Sequence, residues 1–195
     1  MAKILVTGFE PFHKASLNPS QRIVEEISRD PGVITSILPV VFGKASELLI
    51  ELIDKNAPDA VICLGQAEGR HQITPERIAI NLDDARIEDN AGQSPREREI
   101  VPGGPAGYFS TLPIRAITDA LTADGIPAAI SLSAGTFLCN HVFYAMQHHC
   151  RNRKIKSGFI HVPLMDEQAP EFPGLPTMNI ATMVAGVRRV IEVLR

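Results

Sequence analysis

The chain has no tryptophan, only two tyrosines and three cysteines among its 195 residues, and no uninterrupted run of 18 apolar residues. Each shortage excludes something. Without such a run there is no candidate for a membrane-spanning helix. The first apolar stretch, Ile4 to Val6 behind a single Lys3, is too short for the core of a secretory leader. Cys63, Cys139 and Cys150 are odd in number and lack C-x-x-C spacing, which argues against a disulfide framework or a zinc knuckle and for reduced thiols. A cytoplasmic protein is the expectation. No basic stripe is present either: the net charge is −3, and the small clusters at Arg96 with Arg98 and at residues 151–156 sit beside turn-like residues and read as solvated faces. Neither nucleic acid nor a membrane surface is an expected partner.

What is present is an alternation. Hydrophobic residues make up 45 % of a chain long enough to bury a full core, so one domain over residues 1–195 is expected. Residues 3–7 (KILVT), 33–39, 60–64 (AVICL), 128–132 and 158–162 (GFIHV) are short, branched apolar runs that read as buried strands, and 77–81 (RIAIN) reads as a further one. Between them lie helical patterns. Asn18, Pro19 and Gln21 give an N-cap, a first-turn proline and a capping-box glutamine, followed by Ile23, Val24 and Ile27. Residues 46–55 place Leu48, Leu49, Leu52 and Ile53 on one face. A helix entered near Pro113 carries Ile114, Ile117 and Leu121 and ends by Gly125, and residues 178–194 carry Val184, Val187, Ile191 and Leu194. Residues 82–107 have turn residues and little periodicity, which marks a long site-forming or contact-forming loop. The pattern predicts a three-layer α/β/α sandwich with a mixed, mostly parallel central sheet, phosphorylase/hydrolase-like, with its site outside the carboxyl ends of the strands.

The stretch 131–144 (SLSAGTFLCNHVFY) joins an apolar strand, a turn at Gly135 and the start of a helix at Cys139. Free N–H groups and the dipole at a helix start favour negative charge, so this position is expected to lower a thiol pKa, although most free cysteines are simply small buried hydrophobes. His161, between Ile160 and Val162, must find a hydrogen-bond partner if buried. A cysteine and a histidine on neighbouring strand ends suit a thiol nucleophile with its general base. A third group would hold the imidazole's tautomer. Glu76 after Pro75 is a candidate, and Asp83, Asp84 and Asp89 compete with it. Arg86 offers fixed positive charge for an oxyanion, together with the Cys139 backbone N–H.

GFEPF at 8–12, NPS at 18–20, GQAEGR at 65–70, ERIAINLDDARIEDN at 76–90, YFSTLPI at 108–114, SAGTFLCN at 133–140 and GFIHVPL at 158–164 appear in order along nearly the whole chain. Together they resemble the signature stretches of the pyroglutamyl peptidase I (pyrrolidone-carboxylate peptidase) family of cysteine peptidases. The resemblance implies a fold similar to the purine nucleoside phosphorylase type and removal of N-terminal pyroglutamate from peptides through a thioester, with no cofactor. It implies Cys139 as nucleophile, His161 as base, Glu76 as the orienting acid and Arg86 at the oxyanion. Phe9, Phe12, Ile87, Phe137 and Leu138 would wall the lactam and the Gln66 backbone would bond to it. The partners it implies are pyroglutamylated peptides and further copies of the chain, as a homo-oligomer (dimer or tetramer). The substrate's chemistry agrees with that wall, because pyroglutamate is a neutral planar lactam without the ammonium that other aminopeptidases grip.

Two other readings compete with it: a thiol amidohydrolase acting on another small amide, and a non-catalytic binder of small cyclic ligands. His148, His149 and Cys150 end a helix and are not expected to hold a metal. LDDARIEDN lacks the glycine and the twelfth-position glutamate of a calcium loop, and residues 65–70 lack the Lys-Ser/Thr pair of a phosphate loop.

Overall fold

The computed structural model describes residues 2–195. In chain order its elements are β1 (Ile4–Phe9), α1 (Pro19–Glu26), β2 (Val33–Leu38), α2 (Lys44–Asn56), β3 (Ala60–Gln66), β4 (Thr74–Pro75), β5 (Ile78–Ile80), β6 (Gly107–Phe109), α3 (Ile114–Ala123), α4 (Leu138–Cys150), β7 (Lys156–Val162), β8 (Leu164–Met165), β9 (Thr177–Met178) and α5 (Ile180–Leu194). The central sheet runs β2-β1-β3-β7-β4. All of its pairings are parallel except β4 with β7. This is the expected mixed, mostly parallel sheet. Among the described residues no helix is long and apolar enough to cross a membrane.

Because side chains alternate across a strand, each central strand feeds two cores. Ile4 and Val6, Ile62 and Leu64, and Ile160 and Val162 point toward α1, α3 and α5, where they meet Ile23, Ile117, Leu121, Met183 and Val187. Leu5, Val61, Cys63 and Phe159 point the other way, onto Leu49 and Ile53 of α2 and Val142, Phe143 and Met146 of α4. Burying both sheet faces explains why the strands read as continuous apolar runs rather than alternating ones.

Several local expectations change. Asn18 does cap α1, its Oδ1 accepting from the Ser20 N–H at 3.0 Å. Gln21 does not complete a capping box; its amide donates to Glu25 one turn on, at 2.9 Å. Residues 77–81 do not join the central sheet: β5 pairs antiparallel with β6 in a separate two-stranded ribbon. Residues 128–132 form no regular strand. They run alongside β4 with isolated parallel bridges at Ala128 with Ile73 and Ser131 with Glu76. Pro75 has no N–H to give, so the ladder breaks between those two points. The last helix begins at Ile180, two residues after Met178, capped by Asn179.

Candidate active site

The same alternation that builds the two cores also places the chemistry. Counting in twos from Leu5, Val61 and Phe159 toward the carboxyl ends brings Phe9, Gly65 and His161 to the α4 face of the sheet. Gly65 and His161 are register partners across β3 and β7. A Cβ on Gly65 would stand 3.0 Å from Cys139 Sγ and 2.7 Å from Phe159 Cζ, so the sulfur rests directly over bare backbone. Any other residue there would push against it.

Glu76 reaches His161 through the short antiparallel strand. Thr74 lies opposite His161, Pro75 opposite Ile160, and the Glu76 N–H donates to the Phe159 carbonyl at 2.9 Å. Glu76 and His161 therefore share a face, and His161 Nδ1 lies 2.7 Å from Glu76 Oε1. The carboxyl side chain has no exposed surface. Burial acts to raise its pKa, but the hydrogen bond and charge of His161, with help from Ser131 and Arg70, outweigh burial and hold it below the usual value. For His161 burial dominates and lowers the pKa despite the carboxylate, so the imidazole is neutral near pH 7. With Nδ1–H donated to Glu76, Nε2 is free to accept a proton.

Cys139 is the second residue of α4, which begins at Leu138, so the cysteine does stand in the first turn of the helix. Gly135, at φ +77°, makes the preceding turn. The expected lowering of the thiol pKa does not occur. Although part of Cys139 faces the cavity, its sulfur is packed about by protein. That burial and the Glu76 carboxylate push the pKa up to about 12, against smaller opposing effects of Arg70 and the residue's own N–H. The helix-start field is outweighed by lost hydration, and the resting group is a thiol.

Cys139 and His161 open into one cavity of about 810 Å³, lined also by Phe9, Phe12, Gln66, Arg70, Arg86, Ile87, Phe137 and Leu138. Its apolar wall is built of packed rings: Phe12 and Phe137 have ring centroids 5.2 Å apart with planes tilted by 35°, and Phe42 meets Phe137 edge-on at 5.2 Å. Phe9 and Leu138 line the cavity but are otherwise buried in the core, whereas Ile87, 43 % exposed, forms the rim with Arg86. The Gln66 side-chain oxygen accepts from Gln168 at 2.9 Å, and Gln66, at the end of β3, lines the cavity.

The competing aspartates are engaged elsewhere. Asp83, fully buried, takes His141 Nδ1 at 3.0 Å and Arg98 Nη2 at 2.9 Å, and His141 Nε2 lies 3.0 Å from Ser46 Oγ. This second carboxylate–imidazole pair fastens the 82–107 loop to α4 and is not part of the cavity lining. Asp89 is spent on the Phe42, Ala91 and Gln93 N–H groups, and Asp84 faces Arg96 at 3.7 Å. Asn140 binds β5 to α4 by accepting from the Ile80 N–H at 2.9 Å and donating to the Ile80 and Leu82 carbonyls at 2.9 and 3.0 Å. His148 and His149 turn to Tyr108 and Asp54 respectively, each at 2.9 Å.

Sequence reasoning passed over Arg70, Gly65, Phe42 and Gln168. Arg70 and Gly65 lay within GQAEGR, but nothing in that string reports that its arginine meets Glu76. Phe42 and Gln168 left no signal.

The chain was compared with known proteins. It is 50 % identical over 195 residues to a pyrrolidone-carboxylate peptidase of Vibrio vulnificus, covering 98 % of this chain and 92 % of the relative. A pyrrolidone-carboxylate peptidase of Bacillus cereus is 45 % identical over 199 residues, covering 99 % and 93 %. The crystal structure of pyroglutamyl peptidase I from Bacillus amyloliquefaciens superposes with a TM-score of 0.95 at 40 % identity, over 99 % of this chain and 94 % of that one. Pyrrolidone carboxyl peptidase from Pyrococcus furiosus gives 0.94 at 44 %, over 98 % and 97 %. Residues 2–195 also match the profile of the family described as pyroglutamyl peptidase. A sheet and a sequence shared over nearly their whole length with these enzymes leave one assignment: the chain belongs to the pyroglutamyl peptidase family.

Proposed function

We propose that this chain hydrolyses the amide bond after an N-terminal pyroglutamyl residue, with Cys139 as nucleophile, His161 as general base and acid, and Glu76 as the orienting carboxylate. The observation that carries the proposal is the buried Glu76–His161 pair at 2.7 Å, whose imidazole lines, with Cys139, a cavity walled by phenylalanine. Because the thiol rests protonated and the imidazole neutral, His161 takes the Sγ proton as the sulfur attacks, rather than holding a preformed ion pair. Sγ bonds to the pyroglutamyl carbonyl carbon. The oxygen becomes an oxyanion facing the N–H of Cys139, which has no intrahelical partner at this first turn, with Arg86 supplying positive charge from the rim. His161 returns its proton to the peptide nitrogen, the C–N bond breaks and a thioester remains. Water attacks it with His161 as base, releasing pyroglutamate and restoring the thiol. Glu76 stays ionised throughout.

The wall suits the lactam of the pyroglutamyl residue. Phe12 and Phe137 offer an apolar aromatic surface to a neutral planar ring. The three free cysteines fit a reducing, cytoplasmic setting, and assembly into dimers or tetramers comes with the family resemblance.

Replacing Cys139 by Ala should abolish amine release from a pyroglutamyl aminocoumarin, by about three orders of magnitude or more, with the melting temperature little changed. Prolyl and glutaminyl amides, which carry an amino group, should be poor substrates for the parent enzyme. Undiminished turnover by Cys139→Ala, or equal rates on all three amides, refutes the assignment.

A further inference from the structure

Arg70 sits in the turn between β3 and β4, and its guanidinium is spread over three parts of the site. Nη1 donates to Glu76 Oε1 at 2.7 Å and to Thr74 Oγ1 at 2.5 Å, while Nη2 donates to the Ser133 carbonyl at 3.2 Å. The Glu76 oxygen it holds is the one that also takes His161 Nδ1. Ser133 begins the segment that turns at Gly135 and enters α4 at the nucleophile. One side chain thus ties the acid, its short strand and the approach to Cys139 together. An ion pair serving the fold alone needs no contact with the cavity, yet the Arg70 side chain is 29 % exposed and lines it beside Cys139 and His161.

Charge counting gives the arginine a second task. At rest Glu76 is negative, Arg70 positive, and the histidine and thiol neutral, so the cluster sums to zero. After proton transfer from Sγ to His161 it holds two negative and two positive charges, and the sum is again zero. Without Arg70 both states carry an uncompensated negative charge, and the thiolate forms facing a buried carboxylate. The other charged groups lining the cavity do not replace it: Glu68 and Arg86 are exposed and Asp84 faces Arg96.

We propose that Arg70 is a positioning residue of this site, holding Glu76 against His161 and serving as the counter-charge that keeps thiolate formation at Cys139 balanced. The inference rests on the roles proposed above for Glu76, His161 and Cys139. Consistent with it, the Arg70 charge acts to lower the pKa of both Cys139 and His161.

The test compares the parent enzyme with Arg70→Gln, Arg70→Met and Arg70→Lys. Both neutral variants should lower kcat on a pyroglutamyl aminocoumarin about ten- to a hundredfold with KM little changed, the scale of one lost hydrogen bond to a charged group. Their acid limb of kcat/KM should move to higher pH, because His161 loses the nearby charge that opposes its protonation. Arg70→Lys should return the limb toward the parental position. Alkylation of Cys139 by iodoacetamide, followed by peptide mapping across pH, should shift the same way. A fall in rate with neither profile displaced, or a lysine variant displaced as far as the neutral ones, overturns the proposal. The alkylation profile needs no substrate, so it tests Arg70 even where the parent enzyme fails on pyroglutamyl amides, a failure that would instead strike the proposed function.

Discussion

Gly65→Ala is a one-carbon test of how closely the site is packed. The added Cβ would stand 2.7 and 2.9 Å from Phe159 Cζ and Cε1 and 3.0 Å from Cys139 Sγ. Carbon atoms in ordinary contact lie about 3.5–4.0 Å apart, so the ring has to retreat by roughly an ångström. It has little room to do so. Phe159 is fully buried, with ring centroids at 6.4 Å from Phe9, 6.1 Å from Phe143 and 4.8 Å from His161. Overpacking of this kind costs about 1–3 kcal/mol. At about 2–4 °C per kcal/mol for a chain of this size, the melting temperature should fall by roughly 2–12 °C. Catalysis should suffer more than stability, since the displaced ring bears on the proposed base and the new methyl on the proposed nucleophile. A misplacement of about 1 Å can cost on the order of a hundredfold. Thermal melts followed by circular dichroism, with kcat and KM on a pyroglutamyl aminocoumarin, measure both effects. An alanine variant with parental melting temperature and parental kcat refutes the claim that this glycine is required by close approach.

Asn140→Ala removes three hydrogen bonds between α4 and β5 and should destabilise the chain by about 2–4 kcal/mol, read as a lower denaturation midpoint in urea; an unchanged midpoint denies the clamp. Acid should weaken the fold through the central pair. His161 has a folded pKa below its ordinary 6.5, so the unfolded chain binds the extra proton first and stability falls as pH drops below that value. Glu76, held below its ordinary 4.5, contributes stability above that pH which is lost as pH falls through its folded pKa. In His161→Gln the loss of melting temperature starting near pH 6.5 should shrink, and an identical decline in both proteins excludes the histidine as its source.

The sequence carried the sheet because burial on both faces leaves continuous branched runs, and it carried Cys139 because a Gly turn before a helix is a local event. It could not choose among Glu76, Asp83, Asp84 and Asp89, since the choice is made by β4 pairing with β7, partners 85 positions apart for Glu76 and His161. The thiol's pKa was misjudged for the same reason: the helix start is visible in the string, but the packing around the sulfur is contributed by β3 and β7. Residues 128–132 look like a strand by composition, and only their alignment beside Pro75 shows why no ladder forms. Arg70 was hidden because a polar residue in a turn acquires a partner only when the turn is folded.

Two consecutive residues after the proposed nucleophile are anchored to the loop that carries the cavity's rim, Asn140 to Ile80 and Leu82 and His141 to Asp83. The helix is therefore pinned against rotation about its own axis, and nucleophile and inner wall travel as one body. Adaptation to different peptides has to come from the few side chains outside that body, chiefly the exposed Ile87, since Arg86 is assigned to the oxyanion. For an engineer this divides the cavity into a fixed half and a tunable half. Libraries aimed at the residue following pyroglutamate belong at the exposed rim.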